Sequence, residues 1–165
     1  GENHYHCIFG GGACRIVHPS DTAPALLALD AKLRITGAAG PRTVPLSSFF
    51  VLPAQNMRKE NILEPGDIVT DILLPPIKTG MRSSYRKVRG RGAWDFALAG
   101  VALALVMSGK RVEQARVVFS GVAPTPWRSE PAERAITGKD LDASTAAQAA
   151  QIAATLRSTS RKWWR

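Results

Sequence analysis

The sequence predicts an α+β fold, an antiparallel meander with helices packed on one face. The segment at 32–37, KLRITG, alternates polar and apolar residues, and PRTVPL follows after the turn GAAG, which indicates a hairpin. The longest apolar run, ALAGVALALVM at 97–107, is far shorter than the about 20 residues of a membrane span and has polar flanks, so it indicates a buried strand. The alanine-rich segment at 142–156 is typical of a helix.

The other elements follow in chain order. Residues 1–19 are predicted as a loop with a short strand at 14–17, and SDTAPALLALDA at 20–31 as a helix that either Ser20 or Asp21 can cap. DIVTDILLP predicts a strand that ends at Pro75. Beyond it we expect strands at SSYRKV, in the apolar run and at VEQARVVFSGV, and a short helix at AERAITG. The change of composition at PPIKTGM predicts a domain boundary near residue 80, which divides the chain into 1–79, 80–155 and an atypical basic tail at 156–165.

The charge is strongly positive. The 165 residues carry 22 Lys and Arg against 13 Asp and Glu, a net charge of +9. The cations are concentrated in the last ten residues, LRSTSRKWWR, and in MRSSYRKVRGRG at 81–92. This pattern fits a solvated surface or a patch for an anionic cofactor, and it also allows a small basic module that binds RNA or another polyanion.

The two cysteines, Cys7 and Cys14, are too few to indicate a disulfide scaffold, so we expect a reducing, cytoplasmic setting. Three histidines lie nearby, at 4, 6 and 18. A zinc site is conceivable from these residue types, but their spacing fits no compact zinc pattern, and a buried thiol with scattered histidines is the alternative. No targeting segment is visible.

Several catalytic motifs are absent from the sequence. The stretch FGGGAC at 9–14 is followed by no Lys-Ser/Thr pair, so it is not a phosphate-binding P-loop, and no strand–turn–helix frame makes it a dinucleotide fingerprint. FSGVAP at 119–124 lacks the GxSxG pattern of a hydrolase. A plain flexible loop remains the simplest interpretation of the glycines.

The stretch HPSDTAP at 18–24 places Asp21 at the start of the predicted helix. A carboxylate there can cap the helix, because free backbone N–H groups and the positive end of the helix dipole meet at that point. The same position can instead present Asp21 to the hydroxyl groups of a ribose or ribityl chain.

The strand at 83–88 carries several cations. Strand alternation places Tyr85, Lys87 and Arg89 on one face and Arg86 and Val88 on the other. Lys87 can supply a point charge beside a cofactor. The alternative is an edge strand protected by solvated Lys and Arg side chains.

Five segments follow one another in a characteristic order: GENHYHCIFGGGACRIVHPSDTAPALLALDA, RTVPLSSFF, LEPGDIVTDILLPP, YRKVRGRGAWDFALAGVALAL and ARVVFSGVAPTPWR. In this order they resemble the FAD-binding medium subunit of the molybdenum hydroxylases, the group of xanthine dehydrogenase, aldehyde oxidoreductase and carbon monoxide dehydrogenase. The resemblance covers roughly residues 1–155 and implies an N-terminally truncated subunit. Residues 1–79 would be the C-terminal part of a PCMH-type FAD-binding domain, and 80–155 a domain like the CO dehydrogenase flavoprotein C-terminal domain.

The resemblance also implies site residues. Asp21, Val69 and Lys87 fall where residues of the family contact FAD. Cys14 stands seven residues before Asp21, where one branch of the family has the fourth ligand of a [4Fe–4S] cluster. The other three ligands would precede Gly1, and Cys7 has no counterpart.

The implied activity is electron transfer by an oxidoreductase subunit. Electrons would pass from iron–sulfur centres to FAD and leave to an external acceptor. The implied partners are a molybdopterin-binding large subunit and a [2Fe–2S] small subunit, with no nucleic acid and no membrane span. We expect the chain alone to be inactive and the family location to be cytoplasmic, with a periplasmic location also known in the family. The tail at 156–165 departs from the family pattern.

Overall fold

Two antiparallel sheets form the framework of the protein, and the computed structural model describes residues 1–92 and 94–155. The α-helices and strands of the described residues are α1 (Thr22–Ala28), β1 (Lys32–Gly37), β2 (Gly40–Pro45), β3 (Ile68–Leu73), β4 (Met81–Val88), β5 (Ala99–Ser108), β6 (Arg111–Ser120), β7 (Trp127–Arg128), α2 (Glu130–Ile136) and α3 (Ala143–Thr155), and a short 3-10 helix spans Leu46–Ser48.

The smaller sheet has the order β2-β1-β3. Gly40 closes the β1–β2 turn with a φ of 93°, a conformation that glycine adopts without steric cost. The alternation predicted for KLRITG is present, because Leu33 and Ile35 are buried while Lys32 and Arg34 are exposed. The hairpin prediction is therefore confirmed.

The larger sheet is a meander with the order β4-β5-β6-β7. Its first two connections bring β4, β5 and β6 into antiparallel register over eight or more residues. The apolar run lies in β5, the central strand of these three. β7 is a two-residue strand that the sequence did not predict.

Helices pack on both faces of the larger sheet. On one face, Ala102 and Val118 pack with Leu27 of α1 and Ile35 of the smaller sheet. On the other face, the sheet packs against α2 and α3. The predicted α+β meander is confirmed, with α2 and α3 together on one face and α1 on the opposite face. Because α1 shares a core with strands beyond residue 80, the domain boundary stays a prediction.

Two local predictions differ from the structure. The helix predicted for 20–31 is seven residues long, since Leu29 is its C-cap and Asp30 turns the chain out with a φ of 62°. At 14–17 the predicted strand is reduced to an isolated bridge between Arg15 and Glu2. The tail prediction at 156–165 lies outside the described residues. In the part of the chain that the structure describes, no helix has the length and apolar character needed to cross a membrane.

Candidate functional site

Four side chains meet where α1 begins above the edge of the larger sheet. Lys87 Nζ donates a hydrogen bond to Asp21 Oδ2 at 2.7 Å. The Tyr85 hydroxyl donates to Asp21 Oδ1, also at 2.7 Å. The Ser120 hydroxyl lies 3.1 Å from the Tyr85 hydroxyl. We name these four residues the Asp21 cluster.

Strand register brings the cluster together. Lys87 of β4 pairs with Gly100 of β5, and Gly100 pairs with Ser120 of β6, so the three residues form one row across the sheet. Tyr85 is two residues before Lys87 and faces the same side. Helix α1 packs over this face, which brings Asp21, the residue before the helix, to the two β4 side chains.

Of the two helix caps that the sequence allows, the structure has Ser20 and not Asp21. The Ser20 hydroxyl accepts the hydrogen bond from the backbone N–H of Ala23 at 3.0 Å, and Asp21 makes no side-chain capping bond. Ser20 supplies the side-chain acceptor at the helix start, and the Asp21 carboxylate instead accepts hydrogen bonds from Tyr85 and Lys87.

The electrostatics of the cluster favour an ionised Asp21. Partial burial raises the pKa of this carboxyl, but the hydrogen bonds from Lys87 and Tyr85 and the positive charges of Lys87 and Arg89 outweigh burial, so its pKa lies below the ordinary value. Burial raises the pKa of Tyr85, with its bond to Asp21 acting in the same direction. At neutral pH the cluster therefore contains an ionised Asp21 carboxylate and a neutral Tyr85 phenol.

The cluster remains accessible from solvent. The Asp21 side chain is 46% exposed and the Lys87 side chain 19% exposed. Arg86 and Val88 are exposed on the other face of β4, as strand alternation predicts. A carboxylate has about four acceptor positions, so Asp21 keeps capacity for hydroxyl donors of a ligand beside its two present bonds.

Val69, the third predicted flavin contact, lies in the other sheet. It is half-buried on β3, opposite Ile35 of β1, and packs against the core that Tyr85 also contacts. The structure thus joins Asp21 and Lys87 directly, while Val69 shares only the underlying core with Tyr85.

The cysteines and histidines of the N-terminal loop do not assemble a metal site in the described chain. Cys14 is half-buried, and Cys7 is buried with its thiol directed to the Phe9 carbonyl at 3.5 Å. His4 pairs with Glu2, and His18 packs edge-on against Phe50. Among residues 1–92 and 94–155, no group of three or more His, Cys, Asp or Glu could hold a metal ion.

Two of the clefts formed by the described residues lie on the face that carries α1. The larger, of about 400 Å³, includes Arg116 and Arg128 in its lining, but both cations are paired, with Asp30 at 2.9 Å and with Glu133 at 2.7 Å. The smaller, of about 280 Å³, opens between α1 and β4 beside Tyr85. We place the candidate site at the Asp21 cluster, because its charged groups are both assembled and accessible.

Sequence reasoning proposed Asp21 and Lys87, which the structure brings into contact, but it did not predict that Tyr85 and Ser120 join them or that Gly100 lies beneath them. Gly100 was visible as a glycine inside an apolar strand, a position that often marks close approach of other atoms. Ser120 had no local signal, because its partner comes from a strand 35 residues earlier.

Comparison with protein families identifies both parts of the chain. Residues 7–77 match the family described as FAD binding domain in molybdopterin dehydrogenase. Residues 83–163 match the family described as CO dehydrogenase flavoprotein C-terminal domain. The Asp21 cluster takes its acid from the first match and Tyr85, Lys87 and Ser120 from the second.

Individual relatives agree with these matches. The chain is 37% identical over 135 residues to the aldehyde oxidoreductase FAD-binding subunit PaoB of Escherichia coli, covering 81% of this chain and 41% of that protein. It is 33% identical over 130 residues to the carbon monoxide dehydrogenase medium chain of Hydrogenophaga pseudoflava, covering 78% and 43%. The chain therefore spans less than half the length of these curated relatives.

Solved structures share the fold. Reconstituted CO dehydrogenase from Oligotropha carboxidovorans superposes with a TM-score of 0.73 at 28% identity, covering 84% of this chain and 46% of that chain. Two family matches in succession, curated relatives above 30% identity and the shared fold lead to one conclusion: the chain belongs to the family of FAD-binding medium subunits of the molybdenum hydroxylases.

Proposed function

We propose that this chain supplies the Asp21–Lys87 side of a flavin site in an electron-transfer subunit. The observation that carries the proposal is the accessible Lys87–Asp21 ion pair at 2.7 Å, formed across the two family matches. The nucleic-acid alternative has no support from the comparisons, and Lys87, one of the cations of 81–92, is engaged by Asp21.

The cluster residues fit FAD by their chemistry. Asp21 is ionised and can accept hydrogen bonds from ribityl or ribose hydroxyls, while Lys87 and Arg89 place positive charge near it. FAD supplies the redox chemistry when bound, and the protein's part is to bind, orient and tune it. Val69 is included in the proposed contact set because it packs on the core beneath Tyr85.

The wider role follows from the family. We propose that the full protein is an oxidoreductase subunit that passes electrons from iron–sulfur centres through FAD to an external acceptor. Its proposed partners are a molybdopterin-binding large subunit and a [2Fe–2S] small subunit. A cytoplasmic location is consistent with Cys7 and Cys14, which are both free thiols in the structure.

Cys14 is proposed as one ligand of a [4Fe–4S] cluster. Four thiolates usually hold such a cluster, and the described residues form no group of three or more potential metal ligands, so they would supply only part of the ligand set. In the full protein, Cys14→Ser is expected to lower the iron content, and Cys7→Ser, the matched control at a buried thiol, is expected to leave it unchanged. Equal iron in the Cys14→Ser variant and the parent would remove Cys14 from the ligand set.

The flavin proposal is tested in the full protein with charge-changing variants. Asp21→Asn is expected to weaken FAD binding about tenfold, since bonds to a charged acceptor are stronger than those to an amide. It is also expected to raise the flavin reduction potential, because Lys87 is left without its counter-charge and a cation favours the more negative reduced form. Lys87→Ala is expected to lower the potential, for the opposite reason.

Arg86→Ala is the matched control, because Arg86 lies next to Lys87 but faces the other side of β4. It removes one positive charge from the same strand and is expected to change neither the FAD affinity nor the flavin reduction potential. The measurements are the FAD dissociation constant, by titration of the flavin-free protein, and the potential, by spectroelectrochemistry. Equal shifts from Lys87→Ala and Arg86→Ala would show that only surface charge matters and would overturn the proposal.

A further inference from the structure

We propose that Ser120 and Tyr85 form a hydrogen-bonded relay that holds the Asp21 carboxylate in its FAD-binding orientation, with Gly100 providing the space for it. Tyr85 and Ser120 are thus positioning residues, since they act on the flavin through Asp21. The inference rests on the proposed function and extends it to residues of the sheet interior.

The direction of the relay follows from counting protons. An ionised carboxylate can only accept hydrogen bonds, so the single hydroxyl proton of Tyr85 is donated to Asp21. The Tyr85 oxygen can then only accept in its 3.1 Å contact with Ser120. The Ser120 hydroxyl is therefore the donor, and the relay runs from Ser120 through Tyr85 to Asp21.

The relay is anchored in the protein interior. Ser120 is 2% exposed on β6, and the Tyr85 ring packs against the buried core of α1 and the two sheets. Asp21 is the exposed end, at 46%. A carboxylate on a short side chain at the surface would otherwise rotate, whereas two bonds from fixed groups hold both of its oxygens in place.

Gly100 shows why the relay needs this position of β5 to lack a side chain. A Cβ at Gly100 would overlap the Ser120 hydroxyl and would lie 2.9 Å from the Tyr85 hydroxyl. Gly100 is not among the residues with a positive φ, so an alanine would fit the backbone conformation, and its nearest contacts would be the two relay hydroxyls, followed by the Arg86 backbone carbonyl at 3.4 Å. A loss of FAD affinity in the Gly100→Ala variant would therefore report on the relay and not on backbone strain at this position.

The test uses the full, flavin-free protein and the variants Tyr85→Phe, Ser120→Ala and Gly100→Ala. Tyr85→Phe is expected to weaken FAD binding about tenfold, as expected for one hydrogen bond to a charged acceptor. Ser120→Ala is expected to have a smaller effect in the same direction, and Gly100→Ala an effect at least as large as that of Ser120→Ala. The controls are Tyr5→Phe, at a tyrosine that is 80% exposed, and Gly92→Ala, where a Cβ meets no atom within 4 Å.

The pH profile separates positioning from a merely structural role. Asp21 binds FAD hydroxyls as the ionised form, so affinity is lost as pH falls through its pKa. Tyr85→Phe removes a donor that lowers this pKa while Lys87 and Arg89 remain, so the acid limb of FAD affinity is expected to move to higher pH. A structural defect alone would weaken binding equally at every pH.

A crystal structure of flavin-free Tyr85→Phe provides a readout that does not depend on FAD. A rotated or split Asp21 carboxylate supports the relay, and an unmoved carboxylate with an unchanged acid limb overturns it. If Asp21→Asn leaves FAD affinity unchanged, the proposed function fails instead, and the carboxylate orientation in Tyr85→Phe still decides whether the relay exists.

Discussion

The Arg128–Glu133 pair and the Lys87–Asp21 pair each join a basic residue of the larger sheet to an acid at or near the start of a helix. Glu133 is 7% exposed and accepts hydrogen bonds from Arg128 and from the backbone N–H of Val117. Asp21 is 46% exposed and accepts one bond at each oxygen. The first carboxylate is enclosed by protein donors, and the second is open on one side.

This difference separates a pair that holds the fold from a pair suited to a ligand. Breaking a buried pair leaves an uncompensated charge, which costs several kcal/mol, whereas exposed pairs contribute about 0–1 kcal/mol. Glu133 binds α2 to β6 and β7, so its loss disturbs packing. Asp21 can be altered with little structural cost, which leaves its chemistry available for binding.

The largest expected effect on the free energy of unfolding is at the Arg128–Glu133 pair. Glu133→Ala is expected to lower the free energy of unfolding by about 2 kcal/mol, because the buried Val117 N–H loses its acceptor and Arg128, which is 35% exposed, loses its partner. The control is Glu130→Ala in the same helix, whose pair with Arg134 at 3.4 Å is exposed on both sides and contributes at most about 0.5 kcal/mol. Urea denaturation of the two variants measures the difference, and equal losses would contradict the comparison.

A smaller change in the free energy of unfolding, of opposite sign, is expected at Ser129, close to this pair in the chain. Ser129 is 1% exposed, and its hydroxyl has no hydrogen-bond partner in the described structure. Ser129→Ala removes a desolvated polar group and is expected to raise the free energy of unfolding by about 1 kcal/mol. Ser84→Ala, at an exposed serine, is expected to have no measurable effect. A destabilised Ser129→Ala variant would indicate that the hydroxyl has a partner after all.

The smallest expected effect on the free energy of unfolding is at the Lys87–Asp21 pair. Asp21→Asn is expected to change the free energy of unfolding by less than about 1 kcal/mol at pH 7. The pKa of Asp21 is lowered in the fold, so its contribution is complete above the ordinary value of 3.8 and is lost as pH falls through the folded value. Denaturation at pH 7 and pH 3 is expected to show a difference that shrinks with acid. A loss equal to that of Glu133→Ala would mean that Asp21 is a structural residue.

Local patterns were predictable where one segment contains all the information. The β1–β2 hairpin was correct because its alternation and its glycine turn lie within fourteen residues, 32–45. The prediction that Lys87 and Tyr85 lie on the same face of their strand was correct for the same reason, since side chains alternate along any strand. The length of α1 was wrong, because the left-handed conformation of Asp30 ends the helix inside a sequence that would permit three more residues.

The sequence by itself determined the family, the α+β class and the identity of Asp21 and Lys87 as candidate residues, because each depends on short segments and their order. Only the tertiary structure decided that Ser20 caps α1 and Asp21 does not. It also decided that Asp21 forms hydrogen bonds with Tyr85 and Lys87, which lie 64 and 66 residues later in the chain. It also placed Ser120 and Gly100 behind them. The physical reason is that hydrogen bonds form between atoms that packing brings together, and strand register across a sheet has no signature within any one segment.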